Sequence, residues 1–331
     1  MPATGLREPL RFERIHLEKV WGGRALERTP GIALPGAGPI GETWEISDRA
    51  DHNSRVADGP QRGQSLRELM QTEREALLGR ARPGPGGTFP ILIKLLDATQ
   101  ALSVQVHPHP STARAGEETK TECWYILAAA PDARIWFGLR PGVSAREIER
   151  AGSTRALLDH VQTFPVRAGQ FVFVPAGTVH ALGAGITLVE VQENSDVTHR
   201  LYDWDRLGSD GEPRALQFAD ALRVTRFESA PGAAPFTPVL ASAGRGIARA
   251  LLCDADAFSV ELYELSSAHD IDLDGRAAVV IAVEGEGRIG RSAEGARALA
   301  RGDSWLLPAA LQRARIEPTG RLKFLLARTK A

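Results

Sequence analysis

The sequence predicts a mainly β protein, two β domains joined by a linker and accompanied by a few short peripheral helices. Three observations point there. Short apolar runs bounded by turn residues dominate: FPILIKLLDA (89–98), ALSVQVHP, ECWYILAA, GQFVFVPAG, GITLVEVQ, AAVVIAVEG, GDSWLLPAA and LKFLLA. Strands of that length spaced by turns build sandwiches and barrels. The 33 Gly and 21 Pro interrupt any long helical period. Finally, one unit occurs twice, Gly169-Gln-Phe-Val-Phe-Val-Pro175-Ala and Gly302-Asp-Ser-Trp-Leu-Leu-Pro308-Ala: a Gly-led turn, a mostly apolar strand, then Pro-Ala.

Each element has its own signal. Ser65-Leu-Arg-Glu68 and Ser144-Ala-Arg-Glu147 read as capping boxes that open short amphipathic helices. A third helix is expected after Pro213, with Leu216, Phe218, Leu222 and Val224 forming an imperfect apolar stripe. ARPGPGGT (81–88) is a loop, and Pro231, Pro235 and Pro238 mark a linker. The expected division is a first domain over 1–228, a linker over 229–241 and a second β domain over 242–331. The repeats differ in one telling place: His180 stands five residues after Pro175, and Arg313 five after Pro308, so only the first copy offers an imidazole there.

Composition narrows the function classes. Forty Lys+Arg against 41 Asp+Glu leave a net charge of −1, so no bulk field draws the chain to nucleic acid or an anionic membrane. An anionic ligand must then be held by a few placed cations. Two cysteines, Cys123 and Cys253, make no disulfide framework and no CxxC zinc motif. The N-terminus lacks the apolar stretch of a signal peptide, and no run of 18 apolar residues occurs, so a soluble cytoplasmic protein with no membrane span is expected.

Side chains alternate along a strand. In LSVQVHP this puts Ser103, Gln105 and His107 on one face and Leu102, Val104 and Val106 on the other; in KTECWYIL it aligns Lys120, Glu122 and Trp124. One face would fill a core while the other lines a cavity. Gln105, His107, Glu122 and His180 together form an N/O donor set that suits Zn²⁺, and equally Fe²⁺, Mn²⁺ or Co²⁺. The plain alternative is that His107 and Glu122 simply hydrogen-bond each other. Further on, Glu190, Gln192 and Asn194 share a parity, with Arg200 ten residues after Glu190; charges so placed must pair or face a ligand. Lys94 interrupts an apolar strand. Either it solubilises an edge strand, or its ammonium faces a cavity and, with Lys120 and Ser103, binds an anion such as phosphate.

These residues resemble the short bacterial form of type I mannose-6-phosphate isomerase, a zinc enzyme of the cupin superfamily. The similarity is carried by KVWGGRALE (19–27) with GETWEIS (41–47), LLDATQALSVQVHPHP (95–110), KTECWYIL (120–127) and VPAGTVHALGAGITLVEVQENSDVTHRLYDWDR (174–206). It implies two cupin (jelly-roll) domains, the second degenerate and metal-free. It implies one Zn²⁺ per chain on Gln105, His107, Glu122 and His180, and a pocket lined by Trp21, Glu42, Lys94, Ser103, Lys120, Glu190, Asp196 and Arg200. His109 departs from the family pattern and reads as a loop residue.

The reaction implied is interconversion of mannose 6-phosphate and fructose 6-phosphate through a cis-enediol. Glu190 is the first candidate for proton transfer, Arg200 would steady anionic oxygen, and Lys120 would assist. Trp21, Glu42, Lys94, Ser103 and Asp196 would hold the substrate, with Lys94, Ser103 and Lys120 at the phosphate. The partner is thus a small sugar phosphate, and a single chain is the default assembly. The rival readings are a cupin isomerase of glucose 6-phosphate and a non-catalytic sugar-phosphate-binding cupin; an iron dioxygenase-type cupin is disfavoured because four such ligands leave few open positions.

Overall fold

The computed structural model describes residues 5–208, 211–227 and 234–331. Twelve strands come first in the chain: β1 (Leu10–Arg11), β2 (Ile15–Gly23), β3 (Ile40–Ile46), β4 (Ile91–Ala98), β5 (Val104–Val106), β6 (Glu122–Ala129), β7 (Arg134–Leu139), β8 (Val161–Pro165), β9 (Phe171–Val174), β10 (His180–Leu182), β11 (Ile186–Glu193) and β12 (His199–Tyr202). After them run β13 (Ala241–Gly244), β14 (Ile247–Asp254), β15 (Phe258–Leu265), β16 (His269–Asp272), β17 (Ala278–Glu284), β18 (Glu286–Gly290), β19 (Arg297–Ala300), β20 (Ser304–Leu307), β21 (Arg313–Pro318) and β22 (Leu322–Thr329). Every apolar run picked out from the sequence forms a strand. The helices are short: α1 (Leu66–Thr72), α2 (Arg74–Leu78), α3 (Ala145–Ala151) and α4 (Phe218–Val224).

The strands form two double-sheet units. One pairs a six-stranded sheet, β2-β3-β4-β11-β6-β9, with a five-stranded sheet, β12-β5-β10-β7-β8; the other pairs β1-β20-β17-β22-β15-β14-β13 with β16-β21-β18-β19. The six-stranded sheet is buried on both faces, which is why its central strands read as nearly unbroken apolar runs. Its outer face sends Ile91, Ile93, Leu95, Tyr125, Val189 and Val191 into a core shared with Leu252, Phe258, Val260 and Leu325 of the second unit. The alternate residues Leu96, Trp124, Ile126 and Leu188 point inward, against Phe137 and Leu182 of the facing sheet. Cys123 and Cys253 are both free and buried in the shared core.

Both capping boxes form: Glu68 accepts from the Ser65 backbone while Ser65 Oγ accepts from the Glu68 N–H, and the Glu147 carboxylate takes the Ser144 N–H and hydroxyl. The two Gly-to-Pro repeats become equivalent four-residue strands, β9 and β20, and His180 and Arg313 each open the strand that follows. His180 is buried, whereas the Arg313 side chain is 63% exposed and lies 3.8 Å from Asp272.

Four details differ from the sequence reading. Leu102 precedes β5 and joins the interior cluster, away from Val104 and Val106, because the alternation only begins once the ladder does. The helix after Pro213 starts at Phe218, leaving Leu216 outside it and exposed. Leu10–Arg11, assigned to the first domain, pairs with Leu306 and Trp305 as the edge of the second unit's large sheet. Of the expected linker, residues 229–233 lie outside those described, while Phe236 bridges Phe171 at the edge of β9 with two backbone hydrogen bonds. Among the described residues, no helix is long and apolar enough to cross a membrane.

Candidate metal centre and active-site cleft

Two rows of residues face each other across the first unit. Directly opposed residues of an antiparallel ladder project to the same side. On the six-stranded sheet the register aligns Trp44, Lys94, Glu190 and Trp124, with Glu122 opposite Gln192 beside them. On the five-stranded sheet it aligns Arg200, Gln105 and His180. Lys94 therefore sits on a central strand and faces inward, which removes the edge-strand alternative. The approach of β2 to β3 depends on paired glycines: a Cβ on Gly22 would lie 2.4 Å from the Gly41 backbone, and one on Gly41 would lie 2.8 Å from the Trp21 ring. Without them Trp21 and Glu42 could not line one wall.

At the base, His107, Glu122 and His180 bring one ligand atom each within 4.8 Å of one another, all buried. The Nε2 atoms of His107 and His180 lie 3.4 Å from the two Glu122 oxygens. Each imidazole is oriented from behind, Nδ1 of His107 by the Val197 carbonyl at 2.7 Å and Nδ1 of His180 by the Thr178 carbonyl at 2.8 Å. Those carbonyls accept the Nδ1–H, so each Nε2 presents a lone pair inward. Burial, reinforced by the Lys120 charge, lowers both imidazoles, His107 to about 3, and keeps them neutral as ligands must be. Burial alone would raise Glu122, but the Lys120 ammonium leads the opposing causes and the carboxylate stays ionised. His107 Nε2 and both Glu122 oxygens lack any well-formed hydrogen bond. Buried polar atoms left so are costly, and a divalent cation satisfies all three; the donor set fits one. Gln105 stands alongside, its amide nitrogen 3.3 Å from His180 Nε2 and its oxygen accepting from Ser103 Oγ at 3.1 Å. A half-turn of that amide exchanges the two atoms.

Above the base, charges alternate. Lys94 Nζ lies 3.5 Å from Glu42 and from Glu190 and 3.8 Å from Asp196, and stacks over Trp44 at 4.8 Å. Burial opposes the Glu42 charge, yet Lys94 and Lys19 prevail and hold it to about 2; Glu190 goes the other way, raised to about 7 by burial and by the neighbouring Glu122 charge. Trp124 Nε1 donates to Glu190 at 3.1 Å. Lys120 Nζ lies 2.9 Å from Glu122. Arg200 differs: its buried Nε has no partner, and no carboxylate within the described residues pairs with it, since Asp203 is taken by Arg206 and Arg214.

The cleft between the rows is lined by Trp21, Glu42, Lys94, Ser103, Gln105, Lys120, Glu190, Asp196 and Arg200. All the pocket residues named from the sequence thus meet in one place. Lys94 lines the cleft but also lies 3.5 Å from Glu42 and from Glu190, so its charge is shared with those carboxylates before any phosphate arrives. Lys19, Thr198 and Arg214 also line the cleft and escaped the sequence reading. Lys19 was legible, two residues before Trp21 on one strand, whereas nothing local marks Arg214, which is placed by a two-point bond to Asp203 at 2.6 Å. Asn194, expected on the Glu190 face, lies past the end of β11 and donates to the Asp48 carbonyl. His109 is in a turn, its Nδ1 bonded to Ser111 at 2.8 Å.

The chain as a whole has relatives among known proteins. Family models described as phosphomannose isomerase type I, catalytic domain, and mannose-6-phosphate isomerase, cupin domain, match residues 10–125 and 250–325. The mannose-6-phosphate isomerase ManA of Bacillus subtilis (strain 168) is 36% identical over 94% of this chain and 96% of its own length. The mannose-6-phosphate isomerase of Streptococcus mutans (serotype c) is 35% identical over 92% and 93%. The crystal structure of the mannose 6-phosphate isomerase from Bacillus subtilis superposes with a TM-score of 0.87 at 32% identity, covering 97% of this chain and 99% of that one. The chain belongs to the type I phosphomannose isomerase family of aldose–ketose isomerases.

Proposed function

We propose that the chain interconverts mannose 6-phosphate and fructose 6-phosphate through a cis-enediol, with Zn²⁺ held by Gln105, His107, Glu122 and His180. The observation that carries this reading is the convergence of two buried imidazoles and a buried carboxylate on one point at the base of a cleft that Glu190 also lines. The bound cation supplies Lewis acidity toward the sugar's oxygens, which makes the carbon acid next to the carbonyl easier to ionise. Everything else falls to side chains.

Glu190, a buried carboxylate that lines the cleft, both accepts and returns the proton, as transfer between C2 and C1 requires. Lys94, 3.5 Å away, steadies its ionised form. Arg200 carries a cationic charge without a carboxylate partner and offers it to anionic oxygen on the substrate. Lys120 keeps Glu122 ionised and faces the cleft. Trp21, Glu42, Ser103 and Asp196 shape the walls that fix the sugar's register.

Substituting Glu122→Ala or His180→Ala should abolish stoichiometric metal and at least a hundredfold of turnover. Metal analysis of the purified variants, alongside a mannose 6-phosphate assay, reads both; full turnover without metal sinks the reading. Comparing mannose 6-phosphate with glucose 6-phosphate in the same assay separates the two isomerase substrates.

A further inference from the structure

We propose that Trp124 is a positioning residue that ties the proton-transfer carboxylate to the metal centre through a single indole. The inference rests on the role given above to Glu190. Trp124 lies directly opposite Glu190 in the β6–β11 ladder, so both side chains enter the interior at the same height. Its Nε1–H donates to Glu190 Oε2 at 3.1 Å. The same ring meets His180 edge-on, with centroids 5.5 Å apart and planes at 69°. Two residues earlier on the same strand stands Glu122, whose oxygens approach His107 and His180.

One rigid group thus touches both the carboxylate and a metal-binding imidazole. Trp124 is 1% exposed and belongs to the interior cluster with Val172, Val174 and Leu188, so the indole has little freedom to turn. A hydrophobic ring alone would fill this space; a ring whose N–H reaches a buried carboxylate also sets where that carboxylate points. Trp44 supplies the contrast within the same row. It donates to Glu42 at 2.7 Å and stacks under Lys94, and its ring contact is with His52 rather than a member of the metal-binding cluster.

The test is a double-mutant cycle on the metal-loaded enzyme, with Trp124→Phe, Glu190→Gln and the pair together. Trp124→Phe keeps an aromatic ring and removes the N–H. The expected result is unchanged metal content, KM within about twofold and kcat lowered about tenfold. In the Glu190→Gln background the same change should leave the residual kcat unaltered, because Trp124 acts through that carboxylate. An equal loss in both backgrounds, no loss in either, or a loss of turnover accompanied by loss of metal overturns the coupling. Should Glu190→Gln itself retain full kcat, the proton-transfer assignment fails instead, and the coupling to turnover falls with it. If Trp124→Phe does not fold, the indole N–H resonance of the ¹⁵N-tryptophan-labelled enzyme decides. It should move upfield in Glu190→Ala as the charged acceptor is lost, and an unmoved resonance refutes the bond.

Discussion

Lys94 shows how far a single residue can be read from its neighbours in sequence and where that reading stops. A lysine inside FPILIKLLDA announces a charge in an apolar strand, and strand parity separates it from Ile93 and Leu95. Whether it meets an anion from solution or carboxylates of the protein depends on Glu42, Glu190 and Asp196, all distant in sequence. With three acids around the ammonium, the first consequence of removing it is electrostatic. Lys94→Met should strip Glu190 of its ion-pair partner and Glu42 of one of its two, and destabilise the fold by about 3–5 kcal/mol, the usual cost of breaking a buried pair. Urea unfolding measures it. An unchanged midpoint with a raised KM would restore the anion-binding reading.

Elements were the most legible scale. A capping box is a local device, complete within four residues, and both boxes form. Ser65 starts α1, whose Leu66, Leu69 and Met70 enter the core shared by the two units. Ser65→Ala should therefore cost about 1 kcal/mol, read as a shift in chemical-denaturation midpoint with metal content intact; a wild-type midpoint would mean the N–H groups find other partners. Strand faces were equally readable, since alternation needs only the ladder to persist. That condition failed at Leu102, where β5 had not yet begun, and at Asn194, where β11 had ended.

At the scale of the whole molecule, the two units share one core and are laced by charge: Arg14 to Glu45 and the Gly302 carbonyl, Arg297 to Asp58, Arg80 to Asp274. Long-range acid pairs tie the first unit internally as well. Glu42 is held to about 2 against its burial by Lys94 and Lys19, and Glu117 to about 2 against desolvation by Arg223 and His199. Both carboxyls bind protons less readily folded than unfolded, where the ordinary value is 4.5. Their contribution is complete above pH 4.5 and drains away as pH falls toward 2. The unfolding midpoint should decline steadily across that window, and Glu117→Gln should flatten the slope; a wild-type profile level down to pH 2 would exclude these pairs as the cause.

The sequence by itself determined eight of the strands, most of their inward and outward faces, the starts of the two capping-box helices, and the donor types available to a metal, because each follows from backbone geometry over a few residues. Its motifs also named the family that the comparisons establish. Tertiary structure alone decided which faces meet. Glu190 lies opposite Trp124, Lys94 between two acids, and Leu10–Arg11 in the far sheet. Register and sheet membership are set by pairing between distant segments, and one alternating pattern satisfies many pairings until the whole core selects among them.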